Sequence, residues 1–201
     1  MKILLIGHSG TIGSAIHQLL TQRGHEVVTA ARDGGDITVD ISDHDSVRQM
    51  FESTGTVDAV VAAAGHTPFV PFAELKHDDF TTGWHGKALC QIDLVLTGAQ
   101  YIAEGGSFTL TTGILAHTPI ARGAVTSTVN GAIESFVEAA AAEAGSGIRV
   151  NAVSPTAVTE SAAKNAPFFP GFTTVPVDEV ALAYVRSIEG IESGKVFRVG
   201  H

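Results

Sequence analysis

The residue types with the clearest chemistry stand near the start of the chain, in Gly7-His8-Ser9-Gly10-Thr11-Ile12-Gly13. Glycine at position 7 can leave a strand in a tight turn, Gly10 lets main chain come close to a ligand, and Gly13 lets a helix pack hard on the strand before it. Thr11 and Ile12 then fall at the mouth of that helix, where free N–H groups and the helix dipole favour an anion such as a pyrophosphate. The spacing is Gly-x-x-Gly-x-x-Gly rather than the commoner Gly-x-Gly-x-x-Gly, so the inference rests on what surrounds it. A second position bears on the same ligand. An acidic residue closing the next strand would bind a ribose diol and repel a 2′-phosphate, but that place is Ala31 and Arg32 follows. Arginine offers a planar fork of donors suited to phosphate, and His8 and Ser9 can add contacts, so NADP(H) is expected over NAD(H), with Asp33 as a counterweight.

The elements around these residues fit. Lys2-Ile3-Leu4-Leu5-Ile6 reads as a buried strand; Ile12, Ile16, Leu19 and Leu20 recur at helical spacing up to Gly24; Val27 to Ala31 reads as the next strand. Strand, glycine turn, helix and strand make a dinucleotide-binding βαβ unit. Further along, Ile37 to Val39 is a short strand, and Ser42 with Asp45 reads as a capping box before a helix whose inner face is Val47, Met50 and Phe51. Val57 to Ala64 is a near-continuous apolar run that stops at Gly65, as expected of a strand covered on both faces. His66 to Phe72 is a loop closed by two prolines, Asp78 to Tyr101 is mostly helical with Gly83 and Gly86 as weak points, and Ser107 to Thr111 is a strand. Val129, Ile133, Phe136, Val137 and Ala140 form a helix stripe, Ile148 to Val153 a strand, Asn165 to Pro176 an irregular loop, Val177 to Ile188 a last helix and Lys195 to Val199 a last strand. This alternation implies an α/β fold with a doubly wound parallel sheet, three layers α/β/α, in one domain spanning residues 1–201.

Composition limits the partners. Hydrophobic residues make up 44% and charged residues 16%, which fits a globular chain, and the net charge of −9 argues against a nucleic-acid surface. A lone cysteine, Cys90, provides no disulfide framework and suits a reducing compartment; its apolar helical setting points to core rather than nucleophile. The chain begins directly with a strand and has no long apolar run, so a cytoplasmic protein without a membrane partner is expected. The nine histidines show no zinc spacing, and no metal is expected.

The whole layout resembles the short-chain dehydrogenase/reductase family. Val60-Val61-Ala62-Ala63-Ala64-Gly65 is similar to that family's Asn-Asn-Ala-Gly strand end, and Ile148-Arg149-Val150-Asn151-Ala152-Val153-Ser154-Pro155 to its sixth strand. Ser107 to Gly113 takes the place of the strand carrying the catalytic serine, and Gly194 to Val199 that of the final strand. The resemblance implies a Rossmann fold with Ala63, Ala64, Gly65 and Pro155 at the cofactor, Asp40 and Ile41 bracketing an adenine, and Thr159 on the nicotinamide side. It also implies a departure. The family's Tyr-x-x-x-Lys pair, in which lysine lowers the tyrosine's pKa for proton exchange, falls on Thr126 and Asn130, and the only tyrosines are Tyr101 and Tyr184. The serine position becomes Thr112 and the active-site asparagine falls near Lys87, for which a solvated surface ammonium is the plainer expectation. His66 and His117 lie in loops where the family places its active site; either can act as acid or base near pH 7, though an exposed loop histidine is the plainer expectation for each. Two readings follow: an NADP(H)-dependent oxidoreductase acting on a small carbonyl or alcohol by an altered proton path, or a non-catalytic NADP(H)-binding redox sensor or assembly protein. In either case a homodimer or homotetramer is expected through the fourth and fifth helices, where Gly131, Ala132, Ala139 and Ala140 suit close contact.

Overall fold

In the computed structural model, which describes every residue but Ser146 and every side chain but those of Ser146, Lys164 and Asn165, the apolar runs form a sheet of seven parallel strands. The strands are β1 (Lys2–Ile6), β2 (Glu26–Ala31), β3 (Ile37–Thr38), β4 (Val57–Ala62), β5 (Ile102–Thr111), β6 (Arg149–Pro155) and β7 (Val196–Val199). Their order is β3-β2-β1-β4-β5-β6-β7. The chain winds outward in one direction from β1 and in the other from β4, which leaves a crevice at the carboxyl ends of these two strands. Ile3 sits opposite Val27 on one side and Ala59 on the other, so glycine turn and β4 end emerge at the same level.

Helices cover both faces. Leu4, Ile6, Val60, Phe108 and Leu110 alternate onto one face, where they pack with Phe51 of α2 (His44–Thr54), Leu94 of α4 (Cys90–Gly98) and Val129 and Ile133 of α5 (Ala124–Glu143). Ile3, Leu5, Ala59, Val61 and Val153 point the other way, onto Ile16 and Leu20 of α1 (Thr11–Gln22) and Tyr184 and Ile188 of α7 (Val177–Glu189). Strands buried on both sides read as continuous apolar runs, and the three-layer Rossmann arrangement follows.

Several local details differ from expectation. Asp43, not Ser42, caps α2, accepting from the Asp45 N–H at 3.1 Å. The Ser42 hydroxyl is taken by the carboxylate of Asp40 at 2.7 Å, a charged acceptor that outcompetes the helix end. β5 begins at Ile102, before Ser107, because its register to β4 shifts between Val57 and Ala59. The stretch expected to be mostly helical runs as α3 (His77–Gly83), one wide π turn (Trp84–Leu89) and α4 without a break in the rod. The loop read from Asn165 begins as the end of a short helix, α6 (Ala162–Asn165).

The β6–β7 edge of the sheet is tied by a buried amide. Asn151 donates to the Glu192 carbonyl at 2.9 Å and to Ser187 Oγ at 3.2 Å, and accepts from the Lys195 N–H at 3.0 Å. Ser187 Oγ also meets Thr109 Oγ1 at 2.7 Å. Truncating Asn151 would strand these groups in the interior, where each unmade bond costs about 1–3 kcal/mol. Asn151→Ala is therefore expected to lower unfolding free energy by about 3 kcal/mol in a urea titration.

Candidate active site and dinucleotide groove

The crevice is built by close main-chain contact. Gly7 takes φ +86°, and a Cβ there would lie 2.6 Å from the carbonyl oxygen of Ala63. A Cβ on Gly13 would lie 2.0 Å from the Gly7 oxygen, so the first turn of α1 rests directly on the end of β1. No side chain caps α1, whose N-cap is Gly10, and the first-turn N–H groups open onto the crevice. His8 Nδ1, in the same turn, is buried without a partner among the described residues.

Two cavities meet at Gly10 and Ala63. The outer one, of about 340 Å³, is lined by Gly7, Ser9, Arg32, Asp40, Ile41 and Gly65, among others. Ala31, where an acid at the strand end would favour a ribose diol, also lines it, as does Asp33. Asp40 is held below the usual carboxylate range chiefly by the Ser42 hydroxyl and N–H, with Arg32 adding to the effect. The inner cavity, of about 360 Å³, takes in Thr11, Ile12, Lys87, Thr112, Thr126, Asn130 and Pro155, with Phe69 and Phe169 on its wall. Ser161 lines it rather than Thr159, whose hydroxyl donates to Thr174 Oγ1 at 3.0 Å.

The π turn explains how Lys87 reaches this cavity. Widening the helix frees the Gly86 carbonyl, which accepts the His66 N–H at 2.9 Å. Neither Gly65 nor Gly86 has room for a side chain: Cβ atoms there would lie 2.9 Å from Lys87 Cγ and 2.8 Å from the His66 oxygen. Gln91, one turn on, fixes the helix to the end of β5, donating to the Thr111 carbonyl at 3.0 Å and accepting its N–H at 2.7 Å. Lys87 and Thr112 are thereby held against each other by rigid elements.

Lys87 is partly buried, not solvated. Its Nζ donates to Asn130 Oδ1 at 2.7 Å and to the Thr112 carbonyl at 3.3 Å, and it makes no salt bridge among the described residues. Burial lowers its pKa to about 8. Lys87, near the place that the family resemblance implies for an asparagine, and Asn130, at the one it implies for lysine, thus meet across the site. Thr126, buried one turn before Asn130, shares a 2.6 Å hydrogen bond with Thr67 Oγ1. Asn130 Nδ2 donates to the Gly113 carbonyl at 3.3 Å.

The sequence reading passed over Glu134. It is 7% exposed and accepts from Thr112 Oγ1 at 2.9 Å through one oxygen, while its other oxygen lies 2.7 Å from His117 Nε2. His117 is consequently not a bare loop side chain. His66 is exposed and bound through its main chain. Cys90 is core, as expected, its thiol pushed up to about 11 by burial. Neither tyrosine lines the cavities: Tyr101 stacks on Phe51, and Tyr184 lies fully buried with its hydroxyl 2.6 Å from Thr111 Oγ1.

A family model described as enoyl-(acyl carrier protein) reductase matches residues 7–193. The chain belongs to the short-chain dehydrogenase/reductase family. Among solved structures it is similar to the protein lin1944 from Listeria innocua, with 46% identity, a TM-score of 0.97 and coverage of 99% of both chains. A small-chain dehydrogenase in complex with NADPH is 27% identical, with a TM-score of 0.87 over 99% of this chain and 96% of that one. L-xylulose reductase of Mesocricetus auratus is 25% identical over 218 residues, covering 100% of this chain and 89% of the relative. No helix among the described residues is long and apolar enough to cross a membrane, and no cluster of ligands among them could hold a metal ion.

Lys87 offers a direct check on this geometry. With the lysines carbon-13 dimethylated, one amine signal is expected to titrate near 8. Asn130→Leu, which removes the acceptor that favours the charged form, should move that signal lower still; an unmoved signal would contradict the 2.7 Å bond.

Proposed function

We propose that this family oxidoreductase uses NADP(H) to interconvert a small carbonyl compound and its alcohol, with the ammonium of Lys87 serving the substrate oxygen. The observation that carries the reading is the Lys87 cation, without a salt bridge among the described residues and 2.7 Å from Asn130 Oδ1, at the inner end of a groove continuous with the glycine turn. The residues present fit a dinucleotide: the absence of side chains at Gly7 and Gly13 lets β1, β4 and α1 close into the cradle, and the uncapped first turn of α1 opens onto it. Gly10, Thr11, Ile12 and Gly13 would hold the diphosphate through main-chain N–H groups, Asp40 and Ile41 would flank the adenine, and Ala63 to Gly65 and Pro155 would border the ribose and nicotinamide. Arg32, with Ser9, suits the 2′-phosphate. When bound, the cofactor supplies or accepts a hydride at the substrate carbon.

The chain's own residues act on the oxygen. The Lys87 ammonium stabilises negative charge developing there, in a partly desolvated place where that attraction is stronger than in water. Asn130 holds the ammonium in position, and Thr112 and Thr126 offer small hydroxyls beside it. A threonine hydroxyl is too weak an acid to stand in for a phenol, so charge must come from elsewhere, and Lys87 supplies it. Phe69 and Phe169 suit an apolar or aromatic substrate.

Calorimetry is expected to show NADPH binding at least about tenfold more tightly than NADH, a preference that Arg32→Ala removes. NADPH with a panel of aryl aldehydes, ketones and quinones should lose nicotinamide absorbance, and Lys87→Met should slow this about 100-fold. Carbonyl reduction needs the ammonium, so its kcat/KM should be level below pH 8 and fall as pH rises through about 8. Binding without turnover across the panel would favour a redox sensor instead. The same reading includes a homodimer or homotetramer through α4 and α5, where Leu96 is exposed and Gly131 has open space around it, with Trp84 exposed in the π turn that precedes α4. Sedimentation should then give a multiple of 20.8 kDa.

A further inference from the structure

Thr112 is joined to solvent by an unbroken chain of hydrogen bonds that the reading above does not use. Its hydroxyl donates to Glu134 Oε1 at 2.9 Å; Glu134 Oε2 meets His117 Nε2 at 2.7 Å; and the His117 side chain is 43% exposed. Glu134 itself is nine-tenths buried, on the face of α5 that carries Thr126 and Asn130. Buried carboxyl groups are costly unless fully bonded, and here each oxygen has one partner, Thr112 for one and His117 for the other.

The outer link is built for both protonation states. His117 Nε2 lies 2.7 Å from the Glu134 carboxyl and 3.0 Å from Arg198 Nη2. With a proton on Nε2, the ring donates to Glu134. Without one, the same nitrogen accepts from the guanidinium. A ring fixed for structure alone needs only one of these neighbours. The charged groups facing it are Glu134 on α5 and Arg198 on β7, and Lys87 faces Thr112 through the latter's carbonyl, apart from the carboxyl.

We infer that Thr112, Glu134 and His117 form the path by which a proton passes between the substrate oxygen and solvent. The inference rests on the oxidoreductase reading and assigns Glu134 and His117 as positioning and proton-carrying residues behind Thr112. In alcohol oxidation the Thr112 O–H, already turned toward Glu134, leaves its lone pairs for the substrate hydroxyl. The substrate O–H bond breaks as its proton goes to Thr112 Oγ1, and the proton that Thr112 held goes to Glu134 Oε1. The C–H bond breaks as its electron pair leaves with the hydrogen for the oxidised nicotinamide, and the C=O bond forms. A half-turn of the protonated carboxyl about Cγ–Cδ then presents that proton to His117 Nε2, from which it leaves to water. Reduction runs the same steps backwards, with His117 taking the proton in.

Two arms test this, and the first needs no substrate. In carbon-13-labelled protein, Glu134 Cδ and Thr112 Cβ should shift together with the His117 ring as pH is raised from about 5 to about 9. In Glu134→Gln the Thr112 response should vanish. A Thr112 signal indifferent to pH in the unaltered protein, or one unaffected by Glu134→Gln, overturns the path. The second arm follows NADPH oxidation by 4-nitrobenzaldehyde in light and heavy water. Glu134→Gln should lower kcat at least about tenfold and change its solvent isotope effect, with NADPH affinity kept within about twofold. His117→Asn, at a ring whose side chain is 43% exposed, should act in the same direction, and added imidazole should restore part of its rate. Full kcat and an unchanged isotope effect in both variants overturn the inference. If NADPH does not bind, the oxidoreductase reading fails, and the first arm still decides whether the three groups exchange protons.

Discussion

Main chain touching main chain at Gly7 is the constraint from which the site follows. A parallel sheet that winds outward from β1 and β4 leaves a crevice at their carboxyl ends, but a crevice is useful only if a ligand can reach the helix amides behind it. That requires α1 to begin almost on top of β1, with β4 alongside. Side chains at 7 and 13 would push these three segments apart, since their Cβ atoms would fall 2.6 Å from the Ala63 oxygen and 2.0 Å from the Gly7 oxygen. The packing of Ile16 and Leu20 beneath the sheet then holds α1 in the orientation that aims its free N–H groups into the groove.

A second close approach governs the inner end. The π turn at Trp84–Leu89 costs the helix a regular hydrogen bond and regains one from the His66 N–H to the Gly86 carbonyl. This exchange ties β4's exit to the helix and turns Lys87 inward. An ordinary α turn would leave no carbonyl for His66 and would rotate every later side chain by part of a turn. Gln91 would then miss the main chain of Thr111, which it now grips at both ends of its amide.

These features were unequally legible in the residues alone. Alternating apolar runs and the glycine turn fixed the strand positions, because burial on two faces leaves little choice of side chain. The π turn was visible only as two weak points, Gly83 and Gly86, since hydrophobic periodicity does not distinguish a widened turn from a flawed helix. Lys87 was misjudged for the same reason: a lysine on an apparently amphipathic helix is ordinarily a solvated one, and only the rotation of the widened turn buries it. Glu134 had a signal that was passed over. It stands four residues after Asn130 and eight after Thr126, on one face of the same helix, so any cavity reached by those two lies near it. Arg198 and His117, distant in sequence, meet only through strand order and carry no local pattern.

The two charged groups at the centre are kept apart by one residue. Lys87 binds the carbonyl of Thr112, and Glu134 binds its hydroxyl. Direct pairing of ammonium and carboxylate would favour both charged forms, raising the amine's pKa and removing each group from other partners. Placing Thr112 between them leaves the amine governed by burial, which is why it sits near 8 rather than above its ordinary value. The carboxyl is left with one oxygen toward the Thr112 hydroxyl and one toward His117. A tyrosine supported by a neighbouring lysine joins charge and proton in one group. Here α5 carries Thr126, Asn130 and, one turn further along the same face, Glu134, while the ammonium comes from the opposite helix; in the proposed reaction charge and proton are therefore handled by separate groups. A small hydroxyl suffices at the centre because neither task is asked of it alone.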